Sequence, residues 1–231
     1  MEYPANHSFD ERELLKQLLL CFVDAPQAQN LAEALLNQRG SLRYLCEMPL
    51  SRLREIEDLP PNAAFLLAHL PEILTAARLS AFAGKPLRPA KLACAYFAAQ
   101  MSLLTREQSV FVPLDARYRP LGVHASSSDC VDSTAISPHT LLSAALRSGA
   151  RAMLIGHNHP GGSAHFSWAD VNATLEIIDV LAGAGIPLLD HILVANGEGI
   201  SMRASGAFDD MIWLRQGVRV PPLEQWLAQN S

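Results

Sequence analysis

Residues 157–170 combine the side chains and the spacing of a metal site. His157 and His159 are two positions apart, so an extended backbone would direct both imidazoles to one face. Asp170 follows after a turn at Pro160-Gly161-Gly162. Two neutral imidazoles and one carboxylate give Zn²⁺ three protein ligands and leave its fourth tetrahedral position open to water, which is typical of a hydrolytic site. Iron or manganese would suit the same nitrogen and oxygen donors.

Each half of this pattern also has an ordinary structural explanation. A His-x-His pair is often a surface pair or a hydrogen-bonded pair. Ser167 followed three residues later by Asp170 is typical of a helix N-terminus. The explanations are compatible, because an acid in the first turn can cap a helix and bind a metal. Their combination at strand–turn–helix spacing favours the metal site.

The hydrophobic pattern predicts the elements that position these residues. The apolar run at 152–155 predicts a buried strand that leads directly to the histidines. Helical spacing of apolar residues over 168–181 predicts a helix that starts near the aspartate. Further strands are predicted at 110–114, 121–125 and 188–195, and further helices at 91–104 and 139–148. This alternation predicts an α/β (α+β) domain with a mixed central sheet between helices.

Two domains and a tail are predicted. Residues 1–83 have helical patterns only, and Ser8 is the expected cap of the first helix. Residues 84–90 contain turn formers and breakers and are predicted to be a linker. Residues 91–208 form the predicted α/β domain. Residues 209–231 form an extension that is expected to fold back on a domain, with self-association as the alternative because it carries two tryptophans.

The order of the motifs resembles the RadC family of JAB/MPN metallopeptidases, over roughly residues 10–206. The family signature is His-x-His-Pro followed by Ser-x-x-Asp, and Asn158 between the histidines matches the RadC branch. Further matches occur in the family order, at Glu107, Ile136-Ser137-Pro138, Asp190-His191-Ile192-Leu193-Val194 and Ser201. The resemblance implies an N-terminal helical domain and a JAB/MPN-type α-β-α domain.

The resemblance also implies an activity, which is hydrolysis of an amide bond in a peptide or isopeptide substrate. His157, His159 and Asp170 would hold Zn²⁺. Glu107 matches the family's general base, and Ser167 matches the serine that stabilises the oxyanion of the tetrahedral intermediate.

Three nearby residues are expected to support the site. Metal-bound imidazoles usually donate their other N–H to an acceptor, and Asp190 and His191 are the candidates for this contact. Of the two, Asp190 is expected to be the better acceptor. Trp168 is expected to pack beneath the loop that carries the ligands.

Departures from the family pattern leave a second function open. Thr140 stands where RadC relatives carry a glutamate, and Phe166 stands where a proline usually precedes the serine. Threonine cannot replace a carboxylate. The alternative is therefore a catalytically weak or inactive RadC-like metal-binding protein that acts as a DNA-repair-associated module for DNA or a partner.

The N-terminal region gives DNA binding little support. In RadC relatives, the corresponding region resembles a helix-hairpin-helix module. The hairpin of that module has a glycine turn, which lets the backbone approach phosphate closely. This chain reads Asp58-Leu59-Pro60-Pro61-Asn62 there, without glycine, with two prolines that lack N–H donors and with an acid. The net charge of −5 also argues against a large nucleic-acid footprint. A packing or partner-binding role is predicted.

Composition restricts the class of protein further. The chain has 231 residues, of which 49% are hydrophobic and 18% charged, as in soluble folded proteins. No apolar run reaches the length of a membrane span, and no secretory signal is evident, so a cytoplasmic location is expected. The cysteines are predicted to be buried free thiols: Cys21, Cys46, Cys94 and Cys130. Their wide spacing contains no Cys-x-x-Cys pair, which argues against a zinc nucleobase deaminase.

Overall fold

The computed structural model describes residues 10–88, 90–125 and 137–205. The chain divides into two compact units, the first ending at Ala76 and the second beginning at Ala77. The domain bounds inferred from the sequence, 1–83 and 91–208 with a linker at 84–90, stay a prediction. The predicted extension at 209–231 lies outside the described residues.

The first unit is helical throughout its described residues. It contains α1 (Glu11–Leu19), α2 (Ala25–Arg39), α3 (Leu42–Cys46), α4 (Leu50–Leu53) and the first part of α5 (Pro61–Leu79). Leucines from all five helices form its core, including Leu15, Leu35 and Leu67. The predicted Ser8 cap was wrong, because the carboxylate of Asp10 caps α1 by accepting the backbone N–H of Arg12 at 3.0 Å.

Helix α5 is the longest apolar helix among the described residues. It starts at Pro61. Proline has no backbone N–H, which costs nothing at this position because an N–H in the first turn of a helix has no helical acceptor. By length and composition alone, Pro61–Phe82 would reach across a membrane, a test that a core helix of a soluble protein also passes. Ala63, Ala64 and Leu67 pack in the core of the first unit, and one such helix is weak evidence for a membrane span.

The second unit is built around a five-stranded mixed sheet with the order β2-β1-β3-β4-β5. The strands are β1 (Ser109–Leu114), β2 (His124–Ala125), β3 (Ala152–Asn158), β4 (Leu188–Ala195) and β5 (Glu198–Ser201). Strand β3 pairs parallel with β4 and antiparallel with β1, so the predicted mixed sheet is confirmed. The predicted strand at 121–125 shrinks to two residues, and β5 was not predicted.

Helices cover both faces of this sheet, as the α-β-α prediction requires. Helix α6 (Ala90–Met101) packs on one face, where the ring of Phe97 joins a core with residues of β1, β3 and β4. Helices α7 (Pro138–Ser148) and α8 (Trp168–Gly183) cover the other face, where Leu141 and Ile178 pack against Ile155 of β3. The face under α7 and α8 carries the functional side chains.

A bulge in β4 decides which of its residues reach that face. Met153 pairs with Leu188 but Leu154 pairs with Asp190, so Leu189 is an extra residue. Side chains alternate along a strand, and the extra residue therefore puts Leu189 and Asp190 both on the α6 side. His191 consequently points to the α8 side, where it contacts Thr174 of that helix.

Helix α6 approaches β5 so closely that one position of the strand has no room for a side chain. A Cβ at Gly199 would overlap the backbone of Cys94. Because the Cβ would meet backbone atoms of Cys94, the overlap can be removed only if the helix moves away from the sheet.

We predict that Gly199→Ala lowers the free energy of unfolding by about 1–3 kcal/mol, the usual range for overpacking. Urea denaturation of the full chain measures this change. Gly183→Ala is the matched control, because a Cβ at the end of α8 would meet nothing within 4 Å. The control is expected to leave stability unchanged or raise it by up to about 1 kcal/mol. Equal losses in the two variants would contradict the prediction.

Candidate metal centre

The register of β1 and β3 brings a glutamate to the histidines. His157 pairs with Ser109, so Glu107, two residues earlier, points to the same face near His159. One side-chain donor atom from each of Glu107, His157 and His159 lies within 4.8 Å of the others. Glu107 itself is exposed. Among the described residues, these three are the only such group of histidine, cysteine or acid side chains.

Asp170 enters the site through the N-terminal cap of α8. Its Oδ2 accepts hydrogen bonds from the backbone N–H of Ser167 at 2.6 Å and from the Ser167 hydroxyl at 2.7 Å. The Ser167 Oγ in turn accepts the backbone N–H of Asp170 at 3.2 Å, so the predicted helix cap is confirmed. The other oxygen, Oδ1, lies 3.2 Å from His157 Nε2. One carboxylate thus caps the helix with one oxygen and presents the other to the imidazole.

The two imidazoles face each other through the same ring nitrogen. His157 Nε2 and His159 Nε2 are 3.1 Å apart. His159 Nδ1 lies 2.9 Å from the carbonyl oxygen of Ser163, and a carbonyl can only accept. His159 Nδ1 therefore carries the proton, which leaves the lone pair of its Nε2 directed at His157.

On its other side, His157 contacts His191 and not Asp190. His157 Nδ1 lies 2.8 Å from His191 Nε2. The Asp190 carboxylate is on the opposite face of the sheet, where it accepts the hydroxyl of Ser201 at 2.5 Å and backbone N–H groups of His191 and Arg203. The preference for Asp190 as the acceptor was wrong, because the bulge at Leu189 puts Asp190 on the α6 side of the sheet and His191 on the α8 side.

Burial dominates the electrostatics of these groups. It lowers the pKa of His157 to about 4, against a raising effect of the Asp170 charge and with a further lowering by His159. Burial also holds the pKa of His191 well below its ordinary value. Burial raises the pKa of Asp190 to about 7, while its hydrogen bonds oppose that rise. His157 and His191 are therefore neutral at neutral pH, and a neutral imidazole is the form that binds metals.

Two of the separations between donor atoms are close to those around one small tetrahedral ion. Ligand atoms at about 2.0–2.1 Å from Zn²⁺ are about 3.3 Å from each other. The Nε2–Nε2 separation of 3.1 Å and the Nε2–Oδ1 separation of 3.2 Å are close to that value. Two nitrogen lone pairs at this distance repel each other, and a cation between them removes the repulsion. Among the described residues, Glu107 and not Asp170 completes a set of three donor atoms that all lie within 4.8 Å of one another, so Glu107 competes with Asp170 for the third ligand position.

A cavity of about 260 Å³ opens onto these groups and is lined by Glu107, Ser109, Ser167 and Asp170 together with the imidazoles. A larger cavity of about 1200 Å³ lies in the first unit, and neither histidine nor cysteine lines it. Within the part of the chain that the structure describes, histidine and acid donor atoms converge only at the smaller cavity.

The aromatic residues beside the loop do not have the predicted arrangement. Trp168 is 79% exposed in the first turn of α8, so its predicted packing beneath the loop was wrong. Phe166 fills that position instead, with its ring centroid 6.2 Å from that of His157 and 5.7 Å from that of His191. Thr140 is exposed on α7.

The described cysteines take no part in the site. Cys21 is exposed and Cys46 and Cys94 are half-buried, and all three are free, so the prediction of buried thiols was wrong for Cys21. Burial raises the pKa of Cys46 to about 11 and that of Cys94 to about 12. Both thiols therefore stay protonated and unreactive at neutral pH. Cys130 lies outside the described residues.

Fold and site together define a mixed α/β protein with a histidine and carboxylate cluster at the end of its central strand. The family model of the RadC-like JAB domain matches residues 87–207, and the chain belongs to this family, as its motifs indicated.

Its relatives include uncharacterised proteins of similar length. A UPF0758 protein of Xanthomonas axonopodis pv. citri is 28% identical over 200 residues, which cover 86% of this chain and 89% of the relative. A UPF0758 protein of Xanthomonas oryzae pv. oryzae is 30% identical over 195 residues, covering 82% and 87%. One of Shewanella loihica is 30% identical over 200 residues, covering 86% and 89%. These names state no activity.

We predict that Ser167→Ala lowers the free energy of unfolding of the metal-free protein by about 1 kcal/mol, because α8 loses its cap. Chemical denaturation in the presence of a chelator measures the change. Ser137→Ala is the control, since Ser137 also precedes a helix but its side chain makes no capping hydrogen bond. The control should change stability by less than about 0.5 kcal/mol. A Ser137→Ala loss as large as that of Ser167→Ala would show that the cap is not the cause.

Proposed function

We propose that this protein is a Zn²⁺-dependent hydrolase that cleaves an amide bond in a peptide or isopeptide substrate. The observation that carries the proposal is the approach of His159 Nε2 and Asp170 Oδ1 to His157 Nε2, at 3.1 and 3.2 Å, with a Glu107 oxygen within 4.8 Å of a nitrogen of each imidazole. Membership of the RadC-like JAB family supports the same class of reaction. The three described cysteines are free thiols, which fits a reducing compartment, and we propose the cytoplasm.

When bound in such a site, Zn²⁺ supplies Lewis acidity that polarises a carbonyl and lowers the pKa of water to about 7. We assign Glu107 the role of general base. Its carboxylate is exposed to the cavity and lies within 4.8 Å of both imidazoles, so it can take a proton from the attacking water and deliver it to the leaving nitrogen.

Ser167 is the proposed donor to the oxyanion. Its single hydroxyl proton is directed at Asp170 Oδ2 at 2.7 Å. To donate to a substrate oxygen, the hydroxyl has to rotate away from the carboxylate. Asp170 Oδ2 then still accepts the backbone N–H of Ser167 at 2.6 Å, so the rotation does not leave that oxygen without a partner.

We predict that the purified chain binds one equivalent of Zn²⁺, and that His159→Ala and Asp170→Asn lose most of this binding. Zinc titration against a chromophoric chelator measures it. Glu107→Gln should retain wild-type zinc binding, because Glu107 is assigned to proton transfer. His69→Ala is the control, since His69 belongs to the first unit, where its ring stacks on Phe65. If Glu107→Gln loses zinc and Asp170→Asn retains it, the two carboxylates have exchanged roles.

We predict that Glu107→Gln lowers kcat for peptide-bond hydrolysis by about 10²–10⁴-fold, the usual contribution of a general base. A fluorogenic peptide library and an isopeptide-linked substrate, with zinc-loaded protein, supply the assay. Equal rates for wild type and Glu107→Gln would remove Glu107 from the mechanism.

The alternative function is metal binding without turnover, in a module for DNA or another partner. The exposed Thr140 favours it, because a carboxylate of the family pattern is missing there. Zinc binding with no hydrolysis of any amide substrate would select this alternative. DNA binding is then tested by a salt titration on duplex DNA, since a phosphate-driven contact weakens steeply as salt rises.

A further inference from the structure

A buried chain of hydrogen bonds connects the first proposed ligand to the third. It runs from His157 Nδ1 to His191 Nε2 at 2.8 Å, and from His191 Nδ1 to Thr174 Oγ1 at 2.6 Å. The Thr174 hydroxyl then reaches the backbone carbonyl of Asp170 at 2.5 Å, one turn earlier in α8. The chain therefore begins at one ligand residue and ends at the backbone of another.

The proton positions along this chain follow from its last member. A carbonyl oxygen can only accept, so the one hydroxyl proton of Thr174 points to Asp170 O. Thr174 Oγ1 can then only accept from His191, which puts a proton on His191 Nδ1 and leaves His191 Nε2 without one. His191 Nε2 in turn accepts from His157, whose proton must be on Nδ1.

We propose that Thr174 and His191 are positioning residues that fix His157 in the Nδ1–H tautomer. In this tautomer the lone pair of His157 is on Nε2, the atom that lies 3.1 Å from His159 Nε2 and 3.2 Å from Asp170 Oδ1. The opposite tautomer would place a proton between the donor atoms and block the metal position.

The surroundings keep water from replacing these hydrogen bonds. Thr174 is fully buried, and His157 and His191 are 3% and 6% exposed. The Phe166 ring packs edge-on against both imidazoles. A tautomer can change only when an alternative hydrogen-bond partner is within reach, and the aromatic ring supplies none. Phe166, which stands where the family usually has a proline, thus encloses this chain of hydrogen bonds.

The inference rests on the proposed function in one respect: the role given to the hydrogen-bond chain is to prepare His157 for a metal ion before the ion binds. Loss of outer hydrogen bonds to metal ligands typically costs 10–100-fold in affinity. The tautomer itself is a property of the metal-free protein. It can therefore be measured even if the proposed hydrolase activity fails.

The first experiment determines the tautomer of His157 in metal-free, ¹⁵N-labelled protein by two-bond ¹H–¹⁵N NMR, at about pH 8, where imidazoles are ordinarily neutral. Wild type should show the Nδ1–H form for both His157 and His191. Finding the Nε2–H form at His157 in wild type overturns the proposal without any variant.

The second experiment compares Thr174→Val, which keeps the shape and removes the hydroxyl, with Thr174→Ser, which keeps the hydroxyl and removes a methyl group. We predict that Thr174→Val mixes the tautomers of His157 and raises the Kd for zinc by about 10–100-fold. Thr174→Ser should keep the wild-type tautomer and Kd. A purely packing role predicts the reverse order, with Thr174→Ser the more damaged.

Two results contradict the positioning role. Equal weakening of zinc binding in both variants, or an unchanged tautomer in Thr174→Val, would assign Thr174 to packing only. The zinc measurement on wild type separates this inference from the proposed function. If wild type shows the Nδ1–H tautomer but binds no zinc, the hydrogen-bond chain stands and the metallohydrolase proposal fails.

Discussion

The pairing of β3 with both neighbouring strands determines everything else at the site. Antiparallel pairing with β1 brings Glu107 beside His157 of β3 and beside His159, which follows that strand, and parallel pairing with β4 brings His191 behind His157. These residues come from three separate stretches of the chain, so no local sequence preference can assemble them. The backbone hydrogen bonds of the sheet hold them in register, and a slip of one residue would send each side chain to the other face.

Helix α8 supplies the remaining groups, and there one residue has two tasks. Asp170 stabilises the helix through Oδ2 and presents Oδ1 to the His157 imidazole, while its backbone carbonyl accepts the hydroxyl of Thr174. Folding of the helix N-terminus and construction of the donor set are consequently one event. A substitution at this position is therefore expected to disturb the helix N-terminus and the donor set together.

The sequence predicted those features that depend on nearby residues. The mixed sheet, the helix beginning at Trp168 and the cap at Ser167 follow from periodicity and from spacings of a few residues. His191 was one of two candidates for the contact with His157, but Asp190 was preferred, because the choice between them depends on strand register over 34 positions. Thr174 was missed although its signal was available, since residues at i and i+4 share a helix face and Thr174 follows Asp170 at that spacing. The exposure of Trp168 depends on where the helix starts relative to the sheet edge, and periodicity carries no information about it.

The extra residue at Leu189 has a wider meaning for how such a centre can be altered. With regular alternation from Leu188 onward, Asp190 would face His157 and His191 would lie under α6. The position of this bulge thus determines whether His157 has the Asp190 carboxyl group or the His191 imidazole as its partner. Shifting that irregularity by a single step would change which ionisable side chain lies beside His157 without replacing any amino acid.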